Sequence, residues 1–120
     1  MPFNYLLTNL LVDVPEAVGA IFLDSEGEAI DWVTRHNDPF DLKIEGAYHS
    51  IFVRKISRVT STNNGGELRL FAIRGTELTS LTHTLPDGYY LVLVLDRPTF
   101  IEKAMFHLGR AARVVARELA

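Results

Sequence analysis

Apolar positions in this chain repeat in two alternating rhythms. Leu6, Leu7, Leu10, Leu11 and Val14 fall at helical spacing on one face. Pro15 disfavours helix at the residue before it, so this short amphipathic helix is predicted to end near Val14. From Ala17 to Val33 the rhythm becomes two strands around a tight turn. Ile21 and Leu23 share one face while Ala20 and Phe22 share the other. Both faces are apolar, so the first strand should be covered on both sides. Asp24 is placed to bond its own backbone at the start of the turn, and Gly27 to take a positive φ at its end.

Asn37-Asp38-Pro39 opens a second, longer helix, predicted to run to Val59. Asp38 caps free amides, Pro39 suits the first helical position, and Asp41 adds negative charge at the positive end of the dipole. The apolar set is broad: Phe40, Ile44, Ala47, Tyr48, Ile51, Phe52, Ile56 and Val59. A helix lying on a sheet needs only one stripe, so the excess implies a second contact surface.

Asn63-Asn64-Gly65-Gly66 breaks the pattern as a turn. A strand follows from Glu67 to Arg74, with Leu68, Leu70 and Ala72 on one face and Arg69, Phe71 and Ile73 on the other. Gly75-Thr76 turns the chain into a strand from Glu77 to Leu85. Pro86-Asp87-Gly88 is a strong hairpin signal, and Tyr89 to Leu95, the most hydrophobic strand, is expected to be central. Thr99 and Glu102 form a capping box for a last helix. Ile101, Met105, Leu108, Ala112, Val115 and Leu119 give that helix one stripe for the sheet. The fold class is α+β, in the order helix, two strands, helix, three strands, helix.

A length of 120 residues predicts a single domain, residues 1–120. A net charge of −3 argues against a nucleic-acid binder, which normally shows a basic excess. The absence of cysteine removes thiol and disulfide chemistry and fits a reducing, cytoplasmic setting. The apolar runs are far too short for membrane insertion.

The residues suggest no catalytic site, metal site or cofactor. His36, His49, His83 and His107 sit on different elements without metal-ligand spacing, so ordinary histidines outweigh ligands. Asp24, Glu26 and Glu28 alternate like part of a calcium loop but lack the remaining ligands, so the turn reading wins. Gly65-Gly66 has no lysine–serine pair behind it and is no phosphate loop. The chain is read instead as a binding module.

Three surfaces qualify. Lys103, His107, Arg110, Arg113 and Arg117 project to one side of the last helix, with Phe106 beside them. This is either a solvated face favoured by the dipole or a docking strip anchored by Phe106, Arg110 and Arg113. Arg54, Lys55 and Arg58 form a second cluster at the end of the middle helix. The third is the strand bearing Arg69, Phe71 and Ile73, read as an edge strand that pairs with its own copy. With the broad middle helix (Ile44, Tyr48, Ile51, Phe52), it predicts a twofold dimer with a continuous sheet.

Several segments together resemble the roadblock family, relatives of dynein roadblock light chains and of bacterial regulators of Ras-like small GTPases. They are Gly19-Ala20-Ile21-Phe22-Leu23-Asp24 with Gly27, Glu67-Leu68-Arg69-Leu70-Phe71-Ala72-Ile73, and Leu85-Pro86-Asp87-Gly88-Tyr89-Tyr90-Leu91-Val92. The closing Leu108-Gly109-Arg110-Ala111-Ala112-Arg113 is also similar. The resemblance spans about Phe3 to Leu119. It implies a five-stranded antiparallel sheet with helices on both faces, a homodimer, and a non-catalytic platform that docks a small GTPase or a signalling or motility complex. Its partner surface would fall on Tyr48, Phe52, Lys55, Ile56 and Arg58. The alternative is a small-molecule sensor of the PAS or GAF kind, with a pocket lined by Trp32, Tyr48 and Tyr90.

Overall fold

A computed structural model describes residues 3–35, 55, 58, 65–76, 78–96 and 101–119. Helix α1 (Asn4–Asp13) leads into β1 (Ala17–Leu23) and β2 (Ala29–Thr34). Then come β3 (Leu70–Arg74), β4 (Thr79–Thr84), β5 (Tyr90–Leu95) and a closing helix, α2 (Ile101–Leu119). The strands form one sheet in the order β2-β1-β5-β4-β3, antiparallel at every step. The fold is α+β, as expected. Of the predicted helix from Pro39 to Val59, only Lys55 and Arg58 lie within the described residues, and both are helical and exposed.

Strand β5 is the middle strand, and all six of its residues are buried. Its alternation sorts the core into two layers. Leu91, Leu93 and Leu95 join Ala20 and Phe22 of β1 beneath Leu7, Leu10 and Leu11 of α1 and Leu108, Ala112 and Val115 of α2. Tyr90, Val92 and Val94 join Ile21 and Leu23 on the opposite face, packed by Val18, Ala29 and Trp32. The two apolar faces read from β1 are therefore two separate cores. Phe22 is central to the first, with its ring edge-on to Phe3 at 4.7 Å and stacked on Tyr89 at 5.6 Å. Such aromatic pairs add about 0.5–1.5 kcal/mol beyond area burial.

The turns hold as their residues predict. The Asp24 Oδ1 accepts from the backbone N–H groups of Glu26 and Glu28, both at 2.9 Å. Gly27 has φ +88°. Its N–H donates to the Asp24 carbonyl at 3.1 Å. Phe22 opposes Asp31 and Leu23 opposes Ala29, which leaves Ile30 without a partner in a β-bulge. At the β4–β5 turn, Asp87 (φ +62°) and Gly88 (φ +83°) are both left-handed. The Leu85 N–H closes that turn on the Tyr89 carbonyl at 2.8 Å.

The differences from expectation are at element ends. Strand β3 starts at Leu70 rather than Glu67, and β4 at Thr79 rather than Glu77. In α2 the small residue Ala104 is also buried, while Ile101, Met105 and Leu119 are only partly covered. One residue without any local signal ties these pieces together. The Arg35 guanidinium donates to the carbonyls of Leu11 and Val14 at the C-terminal end of α1, and to that of Ala17 in β1. The last carbonyls of a helix lack intrahelical donors and sit at its negative end, which a cation satisfies on both counts.

Candidate functional site

Strand β3 is at the edge of the sheet, as its sequence predicts. Only β4 pairs with it among the described residues. Phe71 is opposite Thr82, Thr82 opposite Val92, Val92 opposite Ile21, and Ile21 opposite Trp32. One row of side chains therefore crosses all five strands and ends at Phe71. The next row passes from Val94 through Ser80 to Ile73. The inner members of both rows are buried, but Phe71 is half-buried and Ile73 is 40% exposed. Arg69 and Arg74 are exposed at either end of the strand. The interior of the edge, Leu-Phe-Ala-Ile, carries none of the charges or prolines that discourage strand addition.

The second surface is the outer face of α2. Phe106 is 58% exposed. The Arg110 Cζ lies 6.0 Å from the centre of the Phe106 ring, within cation–π range. Lys103, Arg113 and Arg117 are exposed as well. His107 corrects the sequence reading, because it does not share this face. Its ring turns toward α1, with Nδ1 3.7 Å from the Asp13 carboxylate and the side chain only 17% exposed. Position 107 lies about a hundred degrees of helical rotation from Phe106, which carries it off the outer ridge and onto the helix–helix seam. Leu6, Leu10, Asp13, His107, Arg110, Ala111 and Val114 line a shallow groove of about 80 Å³ along that seam. This is well below the several hundred Å³ of a typical ligand site.

His83 on β4 is the described residue whose ionisation is clearly perturbed. Burial is the main cause of its lowered pKa, with Arg69 and Arg113 adding to the effect. The contact of the ring's Nδ1 with the Thr84 carbonyl, at 2.8 Å, opposes it. The convergence of Arg69, His83 and Arg113 from three different segments was invisible in the sequence, since the two arginines are far apart along the chain. Neither arginine is a hydrogen-bonded partner of the ring, so both act on it through their charge at a distance.

The remaining candidates are placed as follows. Ile44, Tyr48, Ile51, Phe52 and Ile56 lie outside the described residues, as do His36 and His49. Tyr90, proposed for a sensor pocket, is 1% exposed in the second core, and Trp32 packs against that same cluster. Among the described residues, no three His, Asp or Glu side chains are grouped to hold a metal ion. The Asp24 carboxylate is committed to its own turn. The described residues thus offer two surfaces, the Phe71 and Ile73 face of the β3 edge and the α2 ridge, on opposite sides of the sheet.

No protein-family model matches the chain, and neither does any curated protein sequence. Solved structures do. A Roadblock/LC7 domain from Streptomyces avermitilis superposes with a TM-score of 0.89 at 17% identity, covering 99% of this chain and 98% of that one. The gliding protein MglB from Thermus thermophilus gives 0.85 at 18% identity, covering 97% and 88%. MglB in a tetrameric arrangement gives 0.84 at 18% identity, covering 94% and 84%. At such identities the agreement speaks for the backbone and its topology, from α1 through the five antiparallel strands to α2. The chain has the roadblock fold.

Proposed function

We propose that this chain is a non-catalytic, dimeric binding module that docks and regulates a Ras-like small GTPase or a related signalling or motility complex. The observation that carries the reading is the edge position of β3, which pairs only with β4 among the described residues. Phe71 and Ile73 end two side-chain rows that are buried further in. A second copy of β3, running antiparallel, would continue both rows across a twofold axis. The fold adds to this, since one structural neighbour is an MglB in a tetrameric arrangement and another is a gliding protein.

In such a dimer the middle helices of the two copies would come side by side. Tyr48, Phe52, Lys55, Ile56 and Arg58 would then face the GTPase. Regulation would come from contacting one state of the GTPase switch segments better than the other, since a partner shifts an equilibrium only by its differential affinity.

Light scattering on the wild type and on Ile73→Lys tests the first half of the reading. A dimer that becomes a folded monomer in the variant is expected, and a wild-type monomer at micromolar concentration would end the proposal. Pull-down with GDP- and GTP-loaded Ras-like GTPases tests the second half. Recovery that depends on the nucleotide is expected. A co-purified metabolite with no GTPase recovered would favour the sensor reading instead.

A further inference from the structure

The outer layer formed by α1 and α2 has no part in that reading. The whole chain carries a charge of −3. Helix α2 runs against that balance, with Lys103, Arg110, Arg113 and Arg117 against Glu102 and Glu118. The four cations are exposed, and steps of three, four and seven place them on one ridge with Phe106. That ridge is opposite the buried Ala104, Leu108, Ala112 and Val115. From Lys103 to Arg117 it runs about 21 Å at the helical rise per residue. Alongside it, α1 turns Tyr5 and Val12 outward, 52% and 69% exposed and two turns apart on one side. Glu102 is exposed beside Lys103, and Asp13 lies in the seam between the two helices, against His107.

Three large apolar side chains among four cations, on the broad outer face of two adjacent helices, is a composition with a physical match. A shallow seam between helices does not seat a partner's anchoring side chain deeply. A bilayer surface asks for no such pocket. It takes aromatic and aliphatic side chains at the boundary between headgroups and acyl chains, and cations over the lipid phosphates. No helix of the described residues is long and apolar enough to cross a membrane.

We propose that the outer face of α1 and α2 is a peripheral docking surface for an anionic lipid bilayer. Lys103, Arg110, Arg113 and Arg117 supply the electrostatic attraction, and Phe106, Tyr5 and Val12 enter the interface. The inference goes beyond the GTPase reading and does not depend on it. The two are compatible in space, because Phe71 and Ile73 are on the other side of the sheet from α2. A membrane-bound chain would keep Phe71 and Ile73 on the face turned away from the bilayer.

Sedimentation of the full chain with vesicles tests the proposal. One set is an equal mixture of phosphatidylserine and phosphatidylcholine, and the other is phosphatidylcholine alone. The protein should pellet with the first and not with the second, and added salt should weaken the binding. Arg110→Gln with Arg113→Gln should weaken binding about 25-fold, at about fivefold per cation removed. Phe106→Ser should weaken it further and leave the salt dependence in place. All of these positions are exposed, and an unchanged melting curve and unchanged size confirm an intact fold. Equal binding to both vesicle types, or full binding by the double variant, would overturn the proposal. So would failure to pellet with phosphatidylserine while soluble polyglutamate binds the wild type and not the variant, which would assign the ridge to an acidic protein.

Discussion

The Arg35 guanidinium donates to the main-chain carbonyl of Leu11, twenty-four residues earlier in the chain. With its further bonds to Val14 and Ala17, one side chain closes the end of α1 onto the start of β1. The two hydrophobic layers meet in β1, so this clamp also sets where α1 lies over the first core. Replacing Arg35 by Met would keep the aliphatic stem and leave those carbonyls to water. Hydrogen bonds from charged donors are worth about 1.5–3 kcal/mol, and solvent at this exposed residue reduces the total. Arg35→Met should therefore cost about 1–2 kcal/mol, read as a lower urea midpoint with an unchanged slope. An unchanged midpoint would show that the clamp adds nothing to stability.

Gly88 closes the β4–β5 turn directly against Ser25 of the β1–β2 turn. A Cβ built on Gly88 would be 2.8 Å from the Ser25 Cβ, closer than two carbons can approach. Gly88 also has φ +83°, which disfavours any L side chain there. Gly88→Ala should cost about 2–4 kcal/mol from the strain and the clash together. Ser25→Gly in the same chain should recover the clash but not the backbone strain. Partial rescue in thermal melts is the expected result, and full rescue would leave the backbone with no share of the cost.

The lowered pKa of His83 makes stability depend on pH. The folded protein releases the His83 proton more readily than the unfolded chain, whose histidine has the ordinary value of 6.5. Below that value the unfolded state binds more protons, so stability is full above it and falls as the pH drops through the folded pKa. His83→Gln removes the titration while keeping a polar side chain. The stability gap between wild type and variant should shift in favour of the variant as the medium is acidified below 6.5. Parallel stability curves across that range would rule out a contribution from His83.

Much of this molecule was legible along the chain because its information is local. An unbroken apolar run marks β1 as a strand covered on two faces and β5 as the central strand, since successive side chains point to opposite sides whatever the strand's neighbours are. Asp24 with Gly27, and Asp87 with Gly88, mark turns because backbone geometry there depends on those residues alone. The edge position of β3 followed from a short strand with apolar residues and flanking arginines. The missed features have no local signature. Arg35 reads as an ordinary cation after a strand until α1 folds back over it. His107 reads as part of a basic face until α1 packs beside α2 and takes it into the seam.

The two kinds of determination differ in the range of the forces behind them. Periodicity and turn chemistry act between residues a few positions apart, and they specified the described strands, the first and last helices and their order before any packing existed. Strand order, the pairing of Gly88 with Ser25, the fields of Arg69 and Arg113 at His83 and the placement of two surfaces on opposite sides of the sheet are relations between distant segments. Burial and close packing settle such relations only when the whole chain condenses, because each depends on which faces are left after the others have been covered.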